Sequence, residues 1–227
     1  MPIKNLKLKI FFLAIIFGGI FGVAEKTFGA TINAVSCSQI DVQSAIDASV
    51  SGDTVSVPAG DCTWSSEVTI PDSKGITIEA NSSTISGRLV FNQNYDTSTR
   101  ITGFNFISGN AVYVAGIKTS APFRVDHNTF TVTEGSSILL EVEGNAPGLV
   151  DNNSFNAPTN SEMIHNYGMG AVDASGWNDD IIPGSADAVY IEDNIFTNND
   201  PSFWYGRPRL FLGELFSPVI LWRKNCL

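Results

Sequence analysis

The chain has 227 residues, of which 43% are hydrophobic and 16% charged, and its formal net charge is -10. That composition is too apolar for a disordered chain, and its 20 glycines are too few for a collagen-like one. Thirteen Lys and Arg against 23 Asp and Glu leave no basic surface of the kind that neutralises a phosphate backbone, which argues against nucleic acid as a partner.

The charges are unevenly placed. Lys4, Lys7 and Lys9 precede an uninterrupted apolar run, Ile10 to Ala24, of 15 residues, shorter than the roughly 20 needed to span a bilayer as a helix. Residues 1–29 therefore read as a signal peptide, with cleavage expected after Ala24 or after Gly29. An exported protein follows, extracellular or periplasmic, with no stable membrane anchor once the signal is removed. Between Ala30 and Asp200 five cations face 21 acids, a net charge of -16, so the body must be solvated or screened by bound cations. Export permits disulfides, and Cys37 and Cys62 are the two cysteines of the globular part, so they are expected to pair. Cys226, in the tail, is expected to be a leftover thiol.

Asp41 is expected to cap a short helix carrying Val42, Ala45, Ile46 and Val50 at helical spacing. From Thr54 the pattern changes to short strands separated by Gly, Asn, Asp and Pro: 54–57, 68–70, 75–79, 88–91, 100–106 and 111–114. Three later segments align without gaps: Arg124-Val125-Asp126-His127-Asn128-Thr129-Phe130, Leu149-Val150-Asp151-Asn152-Asn153-Ser154-Phe155 and Tyr190-Ile191-Glu192-Asp193-Asn194-Ile195-Phe196. The first two are 25 residues apart, a weaker copy at 100–106 lies 24 before the first, and the third follows the second by 41, one period plus an insertion. A period in the twenties built of short strands predicts an all-β solenoid over residues 30–200 whose windings stack. Val125, Val150 and Ile191 should point inward, and Phe130, Phe155 and Phe196 should return to the core after a turn. Asn128, Asn153 and Asn194 fall at that turn, where Asn tolerates left-handed backbone and stacked amides can bond to one another along the column.

These repeats, together with a helix followed by Gly52-Asp53-Thr54-Val55-Ser56-Val57-Pro58-Ala59-Gly60, resemble the right-handed parallel β-helix superfamily of pectate-lyase-like proteins, over roughly Ile40 to Asp200. The resemblance implies that the helix caps the open end of the solenoid and that a Cys37–Cys62 bridge staples the cap to the first winding. It also implies contact with extracellular polysaccharide or cell-surface glycan. Strand alternation sets two outer columns, one of Arg100, Arg124, Leu149 and Tyr190, the other of Asp126, Asp151 and Glu192. Stacked carboxylates repel unless a cation intervenes, either Arg124 or a bound Ca²⁺. In lyases of this superfamily carboxylates hold Ca²⁺ and an Arg or Lys removes the proton beside the substrate's acid group. By resemblance, Asp126, Asp151 and Glu192 would hold Ca²⁺ and Arg124 would be the base; the alternative is an Arg–Asp surface network with no catalytic role.

The insertion, about Asn166 to Asp187, carries Tyr167, Trp177, Asp179 and Asp180, with His165 before it. An aromatic ring flanked by acids suits sugar stacking, and these five residues are the candidate substrate contacts; the alternative is a Trp177 that pins the loop to the coil. Glu141 and Glu143 alternate on a strand starting near Ile138 as a second acidic patch, for which solvated surface is the default reading. The two histidines, His127 and His165, lack partners at zinc-ligand spacing, and no phosphate-binding loop or nucleophile elbow occurs. After Asp200 the composition changes, and residues 201–227 read as an atypical tail, a truncated or frame-shifted coil or a helix over 211–221 interrupted by Pro218. The expected function is that of an exported polysaccharide-contacting solenoid, as a Ca²⁺-dependent lyase or as a non-catalytic binding, adhesin or structural module.

Overall fold

The computed structural model describes residues 29–92, 98–107, 109, 111–116, 122–132, 138–144, 147–157, 162–167, 189–198, 209–212 and 219–221. It is a parallel β-solenoid with one helix among the described residues. Strand β1 (Thr31–Asn33) leads into helix α1 (Gln39–Ala48), and the first winding follows as β2 (Thr54–Val57), β3 (Gly60–Thr63) and β4 (Val68–Ile70). Each later winding repeats this trio: β5 (Thr77–Ala80), β6 (Ser83–Ser86) and β7 (Leu89–Asn92); β8 (Arg100–Thr102), β9 (Asn105–Phe106) and β10 (Val112–Gly116); β11 (Phe123–Asp126), β12 (Thr129–Thr131) and β13 (Ile138–Gly144). Then come β14 (Gly148–Asp151), β15 (Ser154–Ala157) and β16 (Glu162–Tyr167), followed by β17 (Val189–Glu192), β18 (Ile195–Asn198), β19 (Arg209–Leu212) and β20 (Val219–Leu221). The first strand of every winding joins an eight-stranded sheet A with β1 at its end, the second a six-stranded sheet B starting at β3, and the third a six-stranded sheet C starting at β4.

The repeats stack as the alignment requires. Val125 pairs with Val150, and Val150 with Ile191; all three are fully buried. The rings of Phe106, Phe130, Phe155 and Phe196 form a column with successive centroid separations of 5.4, 4.8 and 5.1 Å. Near-parallel rings at that spacing add about 0.5–1.5 kcal/mol per pair beyond their apolar burial.

The turn between sheets A and B repeats with the same geometry. His127, Asn152 and Asp193 have φ of 55, 54 and 53°, and Gly103 takes this place with φ 79°. The left-handed residue is thus the one before the ladder asparagine, which corrects the expectation that the asparagines themselves supply it. It also breaks the expected 100–106 strand into β8 and β9: a Cβ on Gly103 would lie 2.5 Å from the Ala80 carbonyl oxygen. Asn128, Asn153 and Asn194, buried to 2% exposure or less, form the predicted ladder. The Asn128 amide donates to Asn153 Oδ1 at 3.1 Å and that of Asn153 to Asn194 Oδ1 at 3.0 Å. Each also serves backbone: Asn153 donates to the Val125 carbonyl at 2.8 Å and accepts from the Asn128 N–H at 2.9 Å. The Asn128 N–H, buried in the turn, takes its acceptor from this ladder.

Helix α1 buries Val42, Ala45 and Ile46 and packs on β1, β2 and β4. Ser38, not Asp41, is its N-cap: Ser38 Oγ accepts from the Asp41 N–H, while Asp41 lies in the first turn and accepts from Ser36. Val50 falls beyond the helix and is 64% exposed, because Ser49 ends the helix in extended backbone. The cap also quiets the edge of the first winding. Gln43 mimics a strand against β4, donating to the Thr69 carbonyl at 3.0 Å and accepting from its N–H at 2.8 Å. Cys37 and Cys62 are bonded, with Cα atoms 5.9 Å apart, which ties the cap to β3 and fits an oxidising compartment. Lys74 donates to the carbonyls of Ile46 and Asp47 at the helix C-terminus, where the helix dipole favours a cation. Asp53 accepts from the N–H groups of Ala30 and Val50, at 2.7 and 2.8 Å, and so joins the chain entering the cap to the chain leaving it. No helix among the described residues is long and apolar enough to cross a membrane. Residues 1–28 lie outside the described residues, as does Cys226.

In the tail, β19 pairs in parallel with β16, and β20 with β17. Of the stretch 211–221 considered for a helix, residues 211–212 and 219–221 are instead strand and extend sheets C and A past Asp200; residues 213–218 lie outside the described residues.

Two substitutions test this architecture. Asn153→Ala leaves the buried Asn128 N–H without its acceptor and removes the amide's bonds to Val125 and Asn194, so unfolding in urea should show a loss of roughly 3 kcal/mol. Replacing Cys37 and Cys62 by Ser releases a closure of 25 residues and should cost about 3 kcal/mol, read as a lower thermal midpoint that reductant does not lower further.

Candidate functional site

Outward positions on sheet A hold the Arg and acidic columns at the predicted register: Arg100 beside Arg124, Arg124 beside Leu149, and Leu149 beside Tyr190. Asp126 stands beside Asp151, and Asp151 beside Glu192. Neighbouring strands are ~4.8 Å apart, so both columns stack like charges. The structure resolves the repulsion by a diagonal. Arg100 forks onto Asp126 of the next winding, Nε to Oδ1 at 2.7 Å and Nη2 to Oδ2 at 2.5 Å. Arg124 repeats the fork on Asp151 at 2.9 and 2.7 Å. Bidentate guanidinium–carboxylate pairs of this kind are strong and directional. Leu149 stands where the next Arg would be, so the diagonal does not reach Glu192.

Asp126 projects outward as alternation demands, yet its side chain is fully buried beneath the two guanidiniums. Its Oδ2 also meets His127 Nδ1 at 2.7 Å, while the imidazole is 60% exposed. Burial pushes the Asp126 carboxyl up, but the bonds from Arg100 and His127 and the charges of Arg100 and Arg124 outweigh it, so it ends below its ordinary value. Arg100 and Arg124 are raised above theirs, chiefly by their bonds to Asp126 and Asp151.

The Ca²⁺ expectation meets this geometry directly. Ca²⁺ takes six to eight oxygen ligands, but both oxygens of Asp126 and of Asp151 are engaged by Arg forks, and Asn152 donates a further bond to Asp151 at 2.7 Å. Of the three proposed ligands only Glu192 is outside a fork, and the described residues contain no group of three or more acidic, His or Cys side chains able to hold a metal. The set does not fit Ca²⁺ in this arrangement. Arg124, the proposed base, is a poor proton acceptor here because the fork stabilises its charged form.

Two of the other candidates lie on a different sheet. His165 and Tyr167 lie on β16 of sheet C, in register with Glu141 and Glu143 of β13; Trp177, Asp179 and Asp180 lie outside the described residues. The second acidic patch is not simply solvated, since Glu141 is 14% exposed and pairs with Arg88 at 3.4 Å. Arg88 also meets Glu67 at 3.0 Å and lies over the Tyr113 ring, 4.6 Å from its centroid. Sequence reasoning missed the Arg88 cluster because its members lie 21 and 53 residues from Arg88 and only the winding brings them together. Comparison with protein-family models, curated proteins and solved structures finds no match.

Asp126→Asn provides a pH test. A carboxylate whose folded pKa is depressed contributes stability above its unfolded value, near 3.8, and that contribution is lost as pH falls through the folded value. The variant should lose about 2 kcal/mol at pH 7, less than the ~3–5 of a fully buried pair because the half-exposed Arg100 can rehydrate. Below about pH 4, in the acid-unfolding curve, the difference from the parent should shrink.

Proposed function

We propose that this chain is an exported, non-catalytic module that contacts extracellular polysaccharide along the outer face of sheet A. The observation that carries the reading is the pair of Arg–Asp forks: they commit to structural pairing the carboxylates and the guanidinium that a Ca²⁺-dependent lyase would need free. The same arginines remain about two-fifths exposed, so their outer N–H edges can donate to sugar oxygens. Leu149 and Tyr190 continue the column as apolar and aromatic surface suited to the flat face of a pyranose. A parallel solenoid repeats its surface groups at each winding, which matches a partner that is itself a repeating polymer. The apolar leader and the disulfide support an oxidising compartment outside the cytoplasm.

Incubation with pectate, alginate and neutral glucans, with and without Ca²⁺, tests this. We expect no rise in ultraviolet absorbance from unsaturated product under either condition, and retarded migration of the protein in native gels cast with at least one polymer. Unsaturated product that requires Ca²⁺ would overturn the reading in favour of the lyase.

A further inference from the structure

On the first windings, where the chain passes from sheet B to sheet C, the structure has an open cleft of about 320 Å³, at the lower end of the ~300–1,000 Å³ of small-ligand sites. Thr63, Ser65, Ser66 and Ser86 line it with hydroxyls, and Glu67 and Arg88 line it with charge. Trp64 lies in its wall, 5% exposed, with its indole N–H bonded to the Cys37 carbonyl at 2.9 Å, so the disulfide-anchored cap holds that ring in place. A Cβ on Gly87 would come 2.4 Å from Trp64 Cβ, so only glycine allows the wall this close an approach.

Arg88 is held on three sides by Glu67, Glu141 and the Tyr113 ring. Its Nε is nevertheless buried without a hydrogen-bond partner among the described residues. Nε is sealed from solvent, so whatever enters the cleft meets Arg88 through the exposed part of its guanidinium, the side chain being 31% exposed. Charge selects what can bind there. Two carboxylates around one guanidinium leave the cluster net negative within a body already strongly acidic, which disfavours an anionic ligand. A neutral polyol suits the exposed lining: its hydroxyls donate to Glu67 and accept from the outer N–H groups of Arg88 and from the serines.

We propose that this cleft is a binding subsite for a neutral pyranose, as a free sugar or as the end of a glycan chain. The inference rests on the polysaccharide-contact reading and deepens it by naming a second site and the ligand class. Two variants test it. Ser66→Trp places a ring at an exposed rim position of the cleft, and Arg88→Lys keeps a cation near the carboxylates but removes the planar guanidinium donors that face the cleft. Titration calorimetry would use glucose, mannose and their neutral oligomers, with trigalacturonate as the acidic arm; circular dichroism would confirm folding, so that loss of fold in one variant leaves the other as the test. We expect saturable binding of at least one neutral sugar to the parent, weakened tenfold or more in both variants. A free monosaccharide binding as tightly as its oligomer would identify a free-sugar site, and tighter oligomer binding a chain-end site. Neutral-sugar binding unchanged in the variants would overturn the cleft while leaving polysaccharide contact standing. Cleft-dependent binding of trigalacturonate would overturn the ligand class. If the parent binds none of these sugars and no polymer retards it, both proposals fail together.

Discussion

Parallel stacking in register is the constraint from which the rest of this molecule follows. Because each strand bonds to the equivalent strand one winding away, a residue meets its own equivalents above and below at ~4.8 Å. Apolar groups profit from that repetition, as the column of Phe106, Phe130, Phe155 and Phe196 illustrates. Buried polar groups profit only if each can be both donor and acceptor, which an Asn amide can be and a carboxylate cannot. That is why the inner turn position carries Asn128, Asn153 and Asn194, while Asp126, Asp151 and Glu192 occupy an outward column.

For charge the same repetition is a difficulty, and the diagonal forks answer it. Arg100 and Arg124 stack on one another, as do Asp126 and Asp151, but each Arg reaches the carboxylate one winding on and two residues further along the strand. Two repulsive columns thereby become one alternating network. The cost to chemistry is that Asp126 is sealed from solvent and both arginines hold their protons more firmly. What this network leaves exposed is the outer edge of its two guanidiniums.

Repetition also has to stop, and the first winding is where the described residues terminate it with designed contacts. Each sheet edge is met differently: sheet A by β1, sheet B by the disulfide at Cys62, and sheet C by the Gln43 amide on Thr69. The Trp64–Cys37 bond and the Arg88 cleft lie beside this cap, where irregular side chains break the solenoid's monotony. An irregular polar corner on a rigid scaffold presents groups that the repeated coil surface, which offers the same groups at every step, does not.

Much of this was legible in the chain itself. The 25-residue offset between Asp126 and Asp151 and the alternation around Val125 and Val150 are strictly periodic, so strand geometry alone places them, and the cysteine pair follows from there being two cysteines between the apolar run and the tail. The tail escaped that reading because β19 and β20 carry no echo of the Asn–Phe repeat, and their sheet membership comes from pairing with β16 and β17. The left-handed backbone at His127 depends on which of two adjacent residues takes the turn, and the helix start on which of Ser38 and Asp41, three residues apart, serves as the cap. The sequence on its own determined which residues would be vertical neighbours; only the tertiary structure decided the partners of Asp126 and Arg88. Side-chain pairing across windings is diagonal and competitive, set by reach, burial and the exclusion of water, and those quantities exist only once the coil has closed.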